Sequence, residues 1–307
     1  MSAAERPRAV ALATYATLPK LTDDDRRLIP ALGARGIRST AAVWDDAAID
    51  WTVYDAVLIR SCWDYHLRPP EFLAWVTRLE AAGVALWNPP SVIRWNAEKT
   101  YLRELEARGV PVVPTRWIER GDPVLLEDVL RGAGWDTAVV KPAIAATAYQ
   151  TWSTSLANAA ADDARFRALT SAGRVLVQPF VDAVTADGEW SLMFFGGNYA
   201  YAVLKRPLAG DFRVQNEFGG TVEARDPGSD LITQASGMLR ALPFDRSACL
   251  YARVDGCVVD GRLVLMELEL LEPALFFGMH SSGAALFASA LADRLRLRAF
   301  DDLRADV

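Results

Sequence analysis

Two apolar runs joined by an acidic turn constrain this 307-residue chain more than any other feature. The first run is Leu250-Tyr251-Ala252-Arg253-Val254-Asp255, and the second carries Leu265-Met266-Glu267-Leu268-Glu269. Between them lies Val259-Asp260-Gly261-Arg262, and Asp-Gly flanked by apolar runs is a strong hairpin signal. Side chains alternate across a strand, so Glu267 and Glu269 share a face, and Asp255 on the partner strand can join them. Three carboxylates on one face repel each other unless a cation lies between them. With no His or Cys beside them, their hard oxygens favour Mg²⁺ or Mn²⁺ over zinc. Magnesium held by a few carboxylates usually shares its shell with nucleotide phosphates, which points to ATP. The competing explanation is a polar sheet face that simply meets water.

The chain exceeds a typical single domain, so two or three packed lobes are expected, and 51% hydrophobic residues supply their cores. A formal charge of −6 argues against a nucleic-acid partner. There is no long block of like charge, no low-complexity tract and no fixed-period repeat. Cys62, Cys249 and Cys257 lack metal-ligand spacing, and their odd number speaks against a disulfide framework, which suggests a reducing cytoplasm. The opening Arg6-Pro7-Arg8 and Ala9-Val10-Ala11-Leu12-Ala13 superficially resembles a signal peptide. Thr14, Tyr15 and Thr17 break that run, and a first buried strand fits better. No stretch approaches the ~20 apolar residues of a membrane span. The expectation is a soluble, cytoplasmic, enzyme-sized protein with no membrane or nucleic-acid partner and an open oligomeric state.

Strand and helix signals alternate through the first lobe, residues 1–91: strands at 9–15, 37–44, 54–60 and 84–87, with helices from Thr22-Asp23-Asp24-Asp25 and Pro69-Pro70-Glu71. That rhythm implies a mostly parallel, Rossmann-like sheet, whose ligands sit beyond the carboxyl ends of its strands. Arg60-Ser61-Cys62-Trp63-Asp64-Tyr65 follows the third strand and so falls at such a position. A linker helix carrying Lys99 is expected over 92–110. A small central lid lobe covers 111–182, with strands at 137–142 and 174–181. An antiparallel α+β lobe covers 183–307. The fold class is thus α/β followed by α+β.

The order of these features resembles the ATP-grasp superfamily, in the branch of glutathione synthetase and D-alanine–D-alanine ligase. The resemblance covers about 96–273 and is strongest at Arg253-Val254-Asp255…Glu267-Leu268-Glu269. More narrowly, three segments resemble the cyclo-ligase family of D-cycloserine biosynthesis, whose substrate is O-ureido-D-serine. They are Arg60-Ser61-Cys62-Trp63-Asp64-Tyr65, Trp95-Asn96-Ala97-Glu98-Lys99-Thr100-Tyr101-Leu102 and Asp211-Phe212-Arg213-Val214-Gln215.

The resemblance implies ATP and Mg²⁺ (or Mn²⁺) as cofactors and a small amino acid as substrate. Asp255, Glu267 and Glu269 would hold metal, and Lys99 and Lys141 the ATP phosphates. Ala146, Thr147 and Ala148 would cover the phosphates, from an alanine-rich loop where relatives carry glycines, so positive φ becomes costly. Gln178, Phe180 and Val181 would contact adenine, and Glu189 the ribose. Arg206, Arg213 and Arg253 would neutralise the transferring phosphoryl group. Arg60, Ser61, Asp64 and Tyr65 would grip the substrate, with His280 and Ser281 near it. Glu269 stands where better-known members carry asparagine, adding negative charge beside the metal. The activity implied is phosphorylation of an amino-acid carboxylate followed by intramolecular ring closure. Two alternatives are a ligase joining two amino acids and a non-catalytic nucleotide-binding protein on the same fold.

Overall fold

A computed structural model describes residues 7–214 and 218–305, with side chains of the last helix described as far as Leu297. Arg6 and Gln215, used in the sequence reading, lie outside the described residues.

Among the described residues, three four- or five-stranded sheets follow one another along the chain. The first contains β1 (Arg8–Thr14), β2 (Ile37–Val43), β3 (Ala56–Ser61) and β4 (Leu86–Trp87), in the order β2-β1-β3-β4. Its pairings are all parallel, as the β-α-β rhythm requires. The second contains β5 (Arg116–Ile118), β6 (Thr137–Pro142), β7 (Trp152–Ser155) and β8 (Val175–Pro179), paired antiparallel as β5-β8-β6-β7. The third is antiparallel in the order β11-β10-β9-β12-β13. Its strands are β9 (Glu189–Phe195), β10 (Asn198–Arg206), β11 (Thr221–Ala224), β12 (Tyr251–Val259) and β13 (Arg262–Glu269). The hairpin of β12 and β13 turns at Asp260 and Gly261, with φ of 50° and 73°.

One face of the third sheet changes character along its length. Met193, Phe195, Tyr201, Val203 and Tyr251 form a core with Val10, Leu12 and Leu58 of the first sheet and Phe287 of the last helix, Gly283–Ala305. Two residues further along these same strands, the same face carries Ser191, Glu189, Lys205, Arg253 and Asp255. Strand alternation commits both sets to one side. The opposite face is apolar at its centre, where Leu192, Phe194, Val254 and Leu268 pack on the helices Tyr101–Ala107 and Gly228–Arg240. The second sheet has a core of its own, built from Ile118, Leu126, Val140, Phe166 and Val177.

The expected continuous helix over 92–110 is broken. It divides into Pro90–Asn96 and Tyr101–Ala107, and Lys99 sits in the break. The cause is Asn96, whose amide pairs with the free edge of β13. Its Nδ2 donates to Leu268 O at 2.8 Å and its Oδ1 accepts from Leu270 N at 2.7 Å. The extended segment that follows adds to the same edge, with Leu265 N donating to Pro111 O and Val113 N to Leu265 O. An edge strand with open hydrogen-bonding groups is thereby covered.

Candidate active site

A cavity of about 310 Å³ opens between the second and third sheets, within the range of small-molecule sites. Its floor is the charged half of the third sheet. Asp255 stands opposite Glu267, and Arg253 opposite Glu269, across the β12–β13 ladder. Arg253 grips Asp255 with Nε at 2.9 Å from Oδ1 and Nη2 at 2.7 Å from Oδ2, and also bonds Glu269. Ser191 Oγ donates to Asp255 Oδ1 at 2.6 Å. Lys205 Nζ lies 2.5 Å from Glu189 Oε1 and 3.6 Å from Asp255 Oδ2.

The roof comes from the second sheet. Alternation along β6 sends Ala138 and Val140 into the lobe core and leaves Val139 and Lys141 on the cavity. Lys141 Nζ makes no hydrogen bond or ion pair among the described residues. Burial lowers its pKa, Glu267 opposes that, and neighbouring Lys99 adds to it. Lys99 is held at three points: its N–H donates to Ala143 O at 2.9 Å, and its Nζ reaches Ala145 O and Glu267 Oε1, each at 2.8 Å. Burial disfavours its charge, but Glu267 outweighs this and raises its pKa. Gln178, Phe180 and Val181 line the far end, where Phe180 meets Phe212 edge-on at 6.1 Å.

The carboxylates divide electrostatically. Burial would raise Asp255 and Glu267, but Arg253 with Lys205, and Lys99 with Lys141, overcome this and lower both. Glu269 rises to about 7 through burial, despite Arg253, and Glu272 to about 8 through burial and the charge of Glu269. Five carboxylates, Glu189, Asp255, Glu267, Glu269 and Glu272, thus face five cations, Lys99, Lys141, Lys205, Arg213 and Arg253, around the cavity.

The expectation that three carboxylates converge on one point needs correction. Among the described residues no set of three His, Cys, Asp or Glu side chains is arranged to hold a metal ion. Arg253 and Lys99 instead draw Asp255, Glu269 and Glu267 towards themselves. The donor chemistry still fits a hard divalent cation: all are carboxylate oxygens, and among the described residues no His or Cys lines the cavity.

The predicted site residues fall into two groups. Lys99, Lys141, Ala146, Thr147, Ala148, Gln178, Phe180, Val181, Glu189, Arg213, Arg253, Asp255, Glu267, Glu269 and Tyr65 all line this cavity. Thr147 and Ala148 adopt the costly left-handed backbone, with φ of 50° and 54°. The others do not line it. Arg60 is fully buried against Asp25 at 3.0 Å and donates to Pro273 O at 2.8 Å, while Ser61 Oγ donates to Asp25 Oδ2 at 2.6 Å. Arg60 thus joins the first lobe to the segment after β13, and Ser61 is bonded within the first lobe. Asp64 accepts from Trp44 Nε1 and Arg68 Nη2, each at 2.8 Å, so its charge is already neutralised. Arg206 pairs with Glu223 at 2.6 Å on the outside of the sheet. His280 stacks on Tyr201 at 4.8 Å, and Ser281 is exposed.

Sequence reasoning missed Lys205, Ser191 and Glu272. A lysine closing the apolar strand Tyr201-Ala202-Val203-Leu204 was a readable signal. Ser191 and Glu272 carried none, because only the pairing of β9 with β12 and the chain path after β13 bring them in.

Comparison with known proteins gives consistent results. A family model described as the N-terminal domain of D-cycloserine synthetase DcsG matches residues 10–88. The cycloserine biosynthesis protein DcsG of Streptomyces lavendulae is 34% identical over 298 residues, covering 94% of this chain and 99% of that protein. The crystal structure of D-cycloserine synthetase DcsG superposes with a TM-score of 0.85 at 31% identity, covering 94% of this chain and 99% of that one. A D-alanine–D-alanine ligase from Bacillus anthracis, complexed with ATP, gives 0.66 at 14% identity over 98% of this chain and 100% of that one, a likeness of fold. A RimK domain ATP-grasp protein from Sphaerobacter thermophilus gives 0.67 at 18%, covering 92% and 98%.

Proposed function

The chain belongs to the D-cycloserine synthetase family and has the ATP-grasp fold, and from that premise we propose that it cyclises O-ureido-D-serine at the expense of ATP. The observation that carries the reading is one cavity holding both an unpartnered ammonium, Lys141, and the acidic strip of Asp255, Glu267 and Glu269. An ammonium without a counter-ion in such a place calls for an anion, and a triphosphate supplies it.

Lys141 and Lys99 bind the triphosphate under Ala146, Thr147 and Ala148. Backbone groups of Phe180 and Val181 meet the adenine edge beside Gln178, and Glu189 takes the ribose. Asp255, Glu267 and Glu269 would hold Mg²⁺ or Mn²⁺ by turning from Arg253 and Lys99, and the bound ion would offset charge on the phosphates. Arg253 and Arg213 stabilise negative charge on the transferring phosphoryl group. The substrate lies on the side of Trp63 and Tyr65. The domain plan that goes with this is a substrate-side lobe to 91, a linker to 110, a lid lobe to 182 and the acid-bearing lobe beyond.

The substrate carboxylate attacks the γ-phosphorus and ADP leaves. The ureido nitrogen bound to oxygen then attacks the acyl carbon and phosphate leaves, closing a five-membered ring. Water removes the carbamoyl group as carbon dioxide and ammonia. Tethering makes ring closure intramolecular, so folding the substrate correctly accounts for much of the rate. Excluding water until the ring has closed protects the acyl phosphate.

The test is incubation with ATP, Mg²⁺ and O-ureido-D-serine, followed by mass spectrometry. ADP and a cyclic product in equal amounts support the proposal. Dipeptide masses from pairs of amino acids, or ATP binding without any ADP release, would overturn it.

A further inference from the structure

The loop that follows β6 docks on the first lobe, although it belongs to the second. Ile144 and Ala146 pack into the core formed by Ile59, Cys62, Tyr65 and Ile93. Three residues on, the Tyr149 ring lies against His66, with ring centroids 4.8 Å apart and planes at 54°. His66 belongs to the short turn Tyr65–Leu67 directly after the loop that follows β3, and it also meets Tyr65 edge-on. Tyr149 is otherwise open to solvent, at 41% exposure, so His66 is its one ring partner among the described residues.

What lies between these anchor points makes the contact consequential. Thr147, Ala148 and Gln150 have φ of 50°, 54° and 49°, an unfavourable sequence for residues with a Cβ. Two backbone bonds hold the loop's shape, Tyr149 N to Ala146 O at 2.9 Å and Thr151 N to Ala148 O at 3.1 Å. A loop that intrinsically prefers other conformations needs an external hold at both ends. Lys99 supplies one, through Ala143 O and Ala145 O. The tilted ring contact with His66 supplies the other. Burial lowers the pKa of His66 and the charge of Lys99 adds to this, against the backbone of Trp63 and the charge of Asp64.

We propose that His66 is a positioning residue that clasps Tyr149 and so holds the Thr147–Ala148 segment over the cavity. The first lobe thereby sets the phosphate loop of the second. This deepens the reading above and rests on it only for the identity of what the loop covers.

Hydrogen exchange of the Tyr149 and Thr151 amides, without any ligand, reads the clasp directly. H66A and Y149A should speed their exchange about three- to tenfold, the range for loss of one aromatic pair, and H66F should restore it. The double variant H66A/Y149A should be no faster than either single one. In the assay above, H66A should raise the KM for ATP and the ratio of ADP to cyclic product, with H66F restoring both. Unchanged exchange in H66A, failure of H66F to restore it, or additive effects in the double variant overturn the clasp. Wild-type protein that forms no ADP, yet whose exchange follows His66, sinks the enzymatic reading and leaves the clasp standing.

Discussion

Arg253 and Asp255, two residues apart on one strand, are locked side by side, with the guanidinium fork on both carboxylate oxygens. Both are nearly buried, at 7% and 2% exposure, so this pair sits largely out of water. Its hydrogen bonds run on to Ser191, Glu269 and Ala274 O. Removing one member leaves the other's charge uncompensated.

Arg253→Lys therefore tests geometry apart from charge. Lysine keeps the positive charge but cannot span two oxygens. The variant should fold, and kcat should fall by about a hundredfold or more, the size expected for losing one well-placed donor to developing charge. Steady-state kinetics alongside circular dichroism would check this, and kcat within a factor of two of wild type would reject the role.

Lys141→Met should separate stability from function. A lysine whose pKa is lowered on folding is less stable charged in the folded state than in the unfolded one. At neutral pH that charge opposes folding, and the opposition fades as pH rises through the folded pKa. The variant should melt at a higher temperature at pH 7, with the gain shrinking in alkaline buffer. ATP affinity by calorimetry should fall about tenfold to a hundredfold, as for loss of a charge-assisted hydrogen bond.

Gly188→Ala probes the turn that presents Glu189. Gly188 has φ of 98°, and an added Cβ would lie 2.6 Å from the backbone oxygen of Lys205. Either the turn or β10 must shift, which moves Glu189 and Lys205 together. The expected cost is about 1–3 kcal/mol of stability, with weaker ATP binding. Denaturant melts and nucleotide titration read the two effects, and an unchanged melt would rule out the close approach.

Arg60→Met distinguishes a structural arginine from a substrate-binding one. Breaking the buried pair with Asp25 should cost about 3–5 kcal/mol of stability. Asp25→Asn/Arg60→Met should recover part of it by removing the stranded charge. A variant of normal stability with a raised KM for the amino acid would return Arg60 to the substrate site.

Much of this molecule was legible in the residue order. The β-α-β rhythm set the parallel first sheet, and Asp260-Gly261 set the hairpin. Period-two alternation put Arg253, Asp255, Glu267 and Glu269 on one face. Those are local properties: backbone torsion, turn chemistry and strand periodicity are decided within a few residues.

What each charged side chain does was decided only by packing. Arg60, inside β3, and Asp64, in the loop beyond it, lie near the expected strand end, yet Asp25 and Trp44 from elsewhere in the chain, and Arg68 one turn on, reach them first. Lys99 was expected on a helix, and Asn96 broke that helix by pairing with a strand 172 residues away. Ser191 and Lys205 became part of the floor through strand pairing alone. A charge takes whichever opposite partner the fold brings within a few ångströms, and that distance is set by contacts far apart in sequence.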